Sequence, residues 1–268
     1  LILDALPRLL WVKNKLPEIY EKIDCIGMFN DWLIYKLTGI LAVEPSNGST
    51  TGLMDLKTRT WDPSILERCG LKSSIFPPVQ ESGTIAGTVT ADAALQTGLT
   101  EGTLVVVGGG DAQLGCIGVG AVDANDAAIF GGSFWQYEYN TDRADTDPQC
   151  RVRVNCHAVK NIWQYEALAF KPGLVMRWFR DGFCQLEKQI AENSGCDVYD
   201  LMNREAEKIP AGCYGMMCTF SDVMNFINWK HAAPTLQISS WIRLILTAIP
   251  FTGQFLKTRL WLQRDTWS

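Results

Sequence analysis

The segment Thr103-Leu104-Val105-Val106-Val107-Gly108-Gly109-Gly110-Asp111, running on into Ala112-Gln113-Leu114-Gly115-Cys116, decides how the rest of this chain is read. Its branched apolar residues predict a strand over 103–107, and the small residues after it predict a helix over 112–122. Three glycines between them let backbone approach whatever binds at the strand's C-terminal edge, because no Cβ stands in the way. Ligands of open α/β sheets sit outside the carboxyl ends of strands, so Asp111 stands where a catalytic group would. Read by itself, Asp111 has as good a claim to be an N-cap that accepts the orphan amides of the following helix. Two phosphate motifs are excluded. Gln113 occupies the place of the third glycine in a dinucleotide fingerprint, and no Gly-Lys-Ser/Thr follows as a Walker loop requires.

A second glycine pair follows in Ile129-Phe130-Gly131-Gly132-Ser133. Such a strand–turn–strand exposes amides and a hydroxyl that can cradle a phosphate, although an ordinary hairpin turn has the same composition. The pairing raises both motifs. A carboxylate at one strand end and a phosphate-type turn some twenty residues on suit phosphoryl transfer from ATP to a hydroxyl.

Outward from these motifs the chain alternates strands and helices, which indicates an α/β or α+β architecture. Helical spacing covers Leu3–Tyr20 and Ile26–Leu37, the second ending at Thr38-Gly39. Glu44–Thr51 reads as a turn and Leu53–Leu56 as a short strand, and Asp62-Pro63 opens a helix that ends near Gly70. Strands are predicted at Gly83–Val89, in a pair over Ala127–Tyr139, and at Arg151–Cys156 and Trp163–Glu166. Helices follow at Gly173–Cys184 and Leu201–Lys208. Trp11, Trp32 and Trp163 sit in apolar patterns and are expected in the core, with Trp135 a candidate for lining a cleft.

Composition narrows the function classes. At 268 residues and 47% hydrophobic, the chain can bury the core of one large or two modest domains. A net charge of −5 with no long Lys/Arg run argues against nucleic acid as a partner, and no span long enough for a membrane stands out. The nine cysteines are odd in number and contain no C-x-x-C pair; Cys213 and Cys218 are the nearest two. They read as reduced thiols of a cytoplasmic protein, and a zinc site is not indicated, since only His157 and His231 could add imidazole.

Residues 236–268 differ in kind. They carry Arg243, Lys257, Arg259 and Arg264 against the single acid Asp265, and Leu236–Phe255 is apolar without a clean period. Pro250 would interrupt a membrane-surface helix there. Permitted codons for Leu236 onward, read two bases later, can instead encode P-N-F-E-L-D-P-A-N-F-N-R-Y-T-F-Y-R-A-I-L-E-N-T, which has balanced charge and an amphipathic helix start. The tail is therefore expected to be non-native, frameshifted sequence. Sequencing the gene around codon 235 tests this.

With these segments in view, the chain resembles the FGGY carbohydrate kinases. Leu6-Pro7-Arg8-Leu9-Leu10-Trp11, Pro17-Glu18-Ile19-Tyr20, Asp31-Trp32-Leu33 and Leu37-Thr38-Gly39 carry the likeness, as do Ser46-Asn47-Gly48-Ser49-Thr50-Thr51-Gly52-Leu53-Met54-Asp55-Leu56 and Trp61-Asp62. Gly108–Cys116, Gly131–Gln136 and Met176–Asp181 resemble one branch of the family, whose substrate is the quorum-sensing signal 4,5-dihydroxy-2,3-pentanedione. The likeness runs from about Leu3 to Thr235, and the shifted-frame Y-R-A-I-L-E-N resembles the helix this family places next.

The resemblance implies an actin-like ATPase (ribonuclease H-like) two-domain kinase fold, here incomplete at both ends, with ATP and a sugar-like substrate in the cleft between the domains. It assigns residues 1–122 to the later part of the first domain, 123–235 to the start of the second, and 236–268 to the tail. It implies that Asp111 is the general base, that Gly110, Asp111 and Gln113 contact substrate, and that Gly131, Gly132 and Ser133 bind ATP phosphate. Mg2+ would arrive with the nucleotide. Two positions depart from the family pattern: Ala112 stands where an amide side chain is frequent, and Gly132 where Thr is usual. The family's Asp-x-Gly-Thr phosphate loop and its late Gly-Gly-Gly motif have no match here, so the chain alone is expected to bind ATP poorly and turn over little. A xylulose- or glycerol-type kinase and a non-catalytic remnant of the fold are the alternatives.

Overall fold

A computed structural model of the chain describes residues 4–169 and 172–219 and the strand at 235–237. The N-terminal helical segment divides into α1 (Ala5–Lys15) and α2 (Pro17–Glu21). Pro17 has no amide to continue α1 and sits at the first position of α2, where none is needed. Helix α3 (Phe29–Thr38) ends where expected, at Gly39 in the left-handed region with φ 76°.

The stretch expected to be a turn at Glu44–Thr51 is instead a one-turn helix, α4 (Pro45–Ser49). The Glu44 carboxylate accepts from the amides of Ser46 and Asn47, both at 2.6 Å, which satisfies the helix start that composition alone did not suggest. Strands β1 (Met54–Asp55) and β2 (Thr60–Trp61) pair as a short antiparallel hairpin, and α5 (Pro63–Arg68) follows with Asp62 as its cap.

Strand β3 (Ile85–Thr88), helix α6 (Ala91–Thr97) and strand β4 (Leu104–Val106) come next, and β3 pairs with β4 alone in an antiparallel two-stranded sheet. Ile34 of α3 packs with Ala86, Val105 and Val107 on one side of it. Helix α7 (Asp111–Gly118) is shorter than expected. Strands β5 (Ala127–Gly131), β6 (Trp135–Thr141), β7 (Arg153–Cys156) and β8 (Trp163–Ala169) form a sheet in the order β5-β6-β8-β7. Three helices, α8 (Pro172–Phe183), α9 (Gln185–Ser194) and α10 (Val198–Glu207), lead to β9 (Met217–Thr219), which pairs with β10 (Thr235–Gln237).

Contacts divide the chain into two compact units. The first holds the described residues up to 130 together with 136–167; the second holds 131–135 and the described residues from 168 to 219. The first unit thus includes residues 123–130 and 136–167. Arg59 shows why. Its guanidinium pairs with Glu81 and donates to the carbonyls of His157 and Ile162, and Trp163 Nε1 donates to the carbonyl of Leu56 at 2.8 Å. The β7–β8 hairpin is thereby fastened to the N-terminal segments.

The first unit's main core joins Leu9, Tyr20, Leu53, Leu66, Leu71 and Ile75, while the second closes over Val175, Met176, Phe179, Cys184, Met202 and Cys218. Of the tryptophans expected in the core, Trp163 is buried, but Trp11 and Trp32 are 57% and 50% exposed. Apolar spacing put them on helices without saying which face is covered. All nine cysteines are free thiols. The expected non-native tail and His231 lie outside the described residues, apart from the backbone of β10. No helix among the described residues is long and apolar enough to cross a membrane.

Candidate active site

The strand β4 ends at Val106, and Val107 is buried beneath the turn that follows. Gly109 needs its bareness: a Cβ there would meet Ala158 Cβ and Leu114 Cδ2, each at 3.2 Å. A Cβ on Gly110 would stand 2.2 Å from Gln113 Oε1. Gly110, not Asp111, is the N-cap of α7, and Asp111 is its first residue. The Asp111 Oδ1 accepts from the next amide, Ala112, at 2.9 Å, and the residue is exposed. The N-cap position therefore belongs to Gly110, and the Asp111 carboxylate meets one early amide of α7 through Oδ1.

The turn is held from behind by buried polar groups. The Gly110 amide donates to Ser46 Oγ at 2.8 Å, and that hydroxyl donates to Glu44 Oε2 at 2.7 Å. Gln113, expected to meet substrate, is buried, and its Nε2 donates to Gln164 Oε1 at 2.7 Å. Gln164 in turn donates to Asn140 Oδ1 and to Cys116 Sγ. The Gly110 amide and the Gln113 Nε2 are thus engaged within the protein, and Asp111 is the exposed residue of the three.

Along β6 and β8, Glu138, Asn140, Gln164 and Glu166 alternate with their neighbours and so share one face of the sheet. Arg153 on β7 is paired with Glu166 in register, its Nη1 lies 3.4 Å from Glu166 Oε1, and Asn155 Nδ2 donates to Glu166 Oε2 at 3.2 Å. Glu138 is 1% exposed, and neither of its oxygens has a hydrogen-bond partner among the described residues. Burial pushes its carboxyl up to about 9; Glu166 and Asp111 push the same way, and Arg153 opposes them. Burial likewise raises Glu166, with Arg153 opposing and Asp111 adding. Glu138 therefore holds a proton at neutral pH, which limits the negative charge gathered near Asp111.

The second expected element, Gly131-Gly132-Ser133, is the exposed turn between β5 and β6. The Gly132 amide donates to the Phe134 carbonyl at 2.9 Å, so the turn itself uses one of the two amides expected for phosphate. Gly173, at the start of α8, lies so close that a Cβ there would fall 1.8 Å from the Gly132 oxygen. Among the described residues no group of three His, Cys, Asp or Glu side chains could hold a metal ion. Asp111 supplies one exposed carboxylate, which fits a Mg2+ held mainly by nucleotide phosphates and water rather than by a protein cage.

Ser46, Glu44, Glu138 and Glu166 were not singled out from sequence. Ser46 does lie in a segment that carried the family likeness. The alternation of polar residues in 138–140 and 164–166 was a visible signal of a polar inner face.

The strand–glycine–Asp111 arrangement meets its counterpart among known proteins. Residues 3–118 match the FGGY family of carbohydrate kinases, N-terminal domain. Over 235 residues, 88% of this chain, it is 51% identical to the autoinducer-2 kinase of Klebsiella pneumoniae subsp. pneumoniae. The autoinducer-2 kinase of Yersinia enterocolitica is 49% identical over the same length. The chain spans 44% of the length of these curated relatives.

Solved structures agree on the fold. The xylulose kinase of Rhodospirillum rubrum superposes with a TM-score of 0.72 at 21% identity, covering 95% of this chain and 49% of that one. The gluconate kinase of Lactobacillus acidophilus gives 0.73 at 19% identity, with the same coverage. The chain accordingly has the actin-like ATPase fold of these kinases, a mixed α/β architecture.

Proposed function

We propose that this chain is part of an ATP-dependent kinase that phosphorylates a hydroxyl of a small sugar-like molecule, and that the substrate is autoinducer-2, 4,5-dihydroxy-2,3-pentanedione. The 51% identity to an autoinducer-2 kinase over 235 residues carries the reading. Asp111 is the general base. It accepts the proton of the attacking hydroxyl as the new O–P bond forms and the γ-phosphate leaves ADP. Phosphoryl transfer has a loose transition state, so an aligned carboxylate suffices where a strong base is not needed. The exposure of Asp111, beside a Gly110 amide and a Gln113 Nε2 that are engaged internally, supports that role.

Gly110 and Gln113 support substrate contact by shaping the turn, and the Gly131-Gly132-Ser133 turn of the second unit is assigned to ATP phosphate through Ser133. The resemblance of the solved xylulose kinases is one of fold alone, so a xylulose- or glycerol-type acceptor remains the second reading. ATP consumption with dihydroxypentanedione, xylulose and glycerol as acceptors decides between them. On this reading the chain alone turns over slowly, and Asp111→Asn lowers that turnover by about 10²–10⁴-fold. Undiminished turnover in Asp111→Asn would remove Asp111 from the chemistry.

A further inference from the structure

We propose that Ser46 is a positioning residue for Asp111, with Glu44 fixing the direction in which the Ser46 hydroxyl points. This rests on the reading of Asp111 as the base.

The geometry is a short relay of buried groups. A serine hydroxyl has one hydrogen and rotates freely unless that hydrogen is claimed. Here Glu44 Oε2 claims it at 2.7 Å, and the same carboxylate oxygen accepts from the Ser46 amide at 2.6 Å. With its hydrogen directed at Glu44, the Ser46 oxygen presents a lone pair to the Gly110 amide, 2.8 Å away. Ser46 and Glu44 are both 0% exposed, so water does not compete for these bonds. The other Glu44 oxygen accepts from the Asn47 amide, and Ser82 Oγ also donates to Oε2, so the carboxylate itself cannot swing.

Gly110 is the residue that must be held. It has no side chain to anchor it, it precedes Asp111 directly, and its carbonyl begins the hydrogen bonding of α7 through the Leu114 amide at 2.9 Å. Behind it, Gln113 Oε1 fills the space a Cβ would take. Ser46 and Gln113 thus clamp Gly110 from two places, 64 residues apart and three residues on. Helix α4 is tied down in turn: Asn47 Nδ2 donates to Asn30 Oδ1, and Ser49 Oγ accepts from the Cys156 amide. The direction of the Asp111 carboxylate is therefore inherited from α4. Near-attack geometry tolerates little error, since a misplacement of about 1 Å can cost about 10²-fold in rate.

The test compares the whole chain with Ser46→Ala and Asp111→Asn variants, by residue-resolved amide hydrogen exchange and by ATP consumption with dihydroxypentanedione. Ser46→Ala is expected to speed exchange at Gly110 by tenfold or more, with core amides at Leu53 and Val107 unchanged. It should lower kcat about tenfold or more while KM moves less than twofold. Slow Gly110 exchange in Ser46→Ala overturns the proposal, and so does fast exchange with an unchanged kcat. A uniform rise in exchange across the first unit would mark Ser46 as merely structural, which also overturns it. Full turnover in Asp111→Asn sinks the general-base reading instead, and the exchange arm shows independently whether Ser46 holds the turn.

Discussion

The two glycine turns of this chain look alike in sequence and are held in opposite ways. Gly108–Asp111 is fixed by side chains from far along the chain, through Ser46, Gln113 and Gln164. The turn at Gly131-Gly132-Ser133 is fixed by backbone, through its own Gly132–Phe134 hydrogen bond and the close approach of Gly173. The difference teaches that a run of glycines announces a close backbone approach without saying to what. In both turns one amide expected to face a ligand is used inside the protein instead.

The contrast can be broken most directly at Gly173. A Cβ there would meet backbone, with the Gly132 carbonyl carbon at 2.7 Å and Ser133 Cα at 2.9 Å besides the oxygen, and no rotamer change relieves backbone. Gly173→Ala should therefore cost about 3 kcal/mol in urea unfolding. A change below about 0.5 kcal/mol would show that α8 does not press on this turn.

Gly110→Ala sharpens the comparison from the other side. Gly110 has an ordinary φ of −61°, and the obstacle is the end of a flexible side chain, Gln113 Oε1. The cost should be smaller, about 1–2 kcal/mol, with Gln113 displaced. If Gly110→Ala proved more damaging than Gly173→Ala, the distinction between side-chain and backbone support would collapse.

The effect most dependent on pH belongs to Glu138. Its folded carboxyl lies near 9, well above its ordinary 4.5. The folded state therefore binds more protons than the unfolded one between those values. That stability is fully present below about 4.5 and is lost as pH rises through about 9. Glu138→Gln should change the melting temperature little at pH 5 and raise it by roughly 10 °C at pH 8. Some slope will persist, because burial raises Glu44 and Glu166 in the same direction. Parallel melting curves for the two proteins from pH 5 to 9 would mean that Glu138 is ionised in the fold.

Much of the architecture was legible because its signals are local. Gly39 stops α3, Asp62-Pro63 starts α5, and the hairpin of β5 and β6 falls where its glycines predict. Helix α6 was legible but unread: Thr90 caps it through the Ala93 amide and Gly98 ends it at φ 79°. What could not be read was non-local. The acids Glu138 and Glu166 meet only because β6 and β8 are neighbours, and no spacing records that sheet order. The helix at α4 depends on burying Glu44 beside Ser82, 38 residues later. Asp111 itself was placed correctly at the start of a helix, yet the N-cap position belongs to Gly110, one residue earlier.

Arg59 carries a last consequence, in time. Its guanidinium receives its partners at His157 and Ile162 from 98 and 103 residues downstream. A ribosome adding about 5–20 residues per second needs roughly 5–20 s to deliver them. Throughout that interval a cation destined for burial has only Glu81 to answer it, so the first unit cannot finish closing when its family-matched domain has been synthesised. Its maturation is set by the emergence of a hairpin that lies beyond that domain.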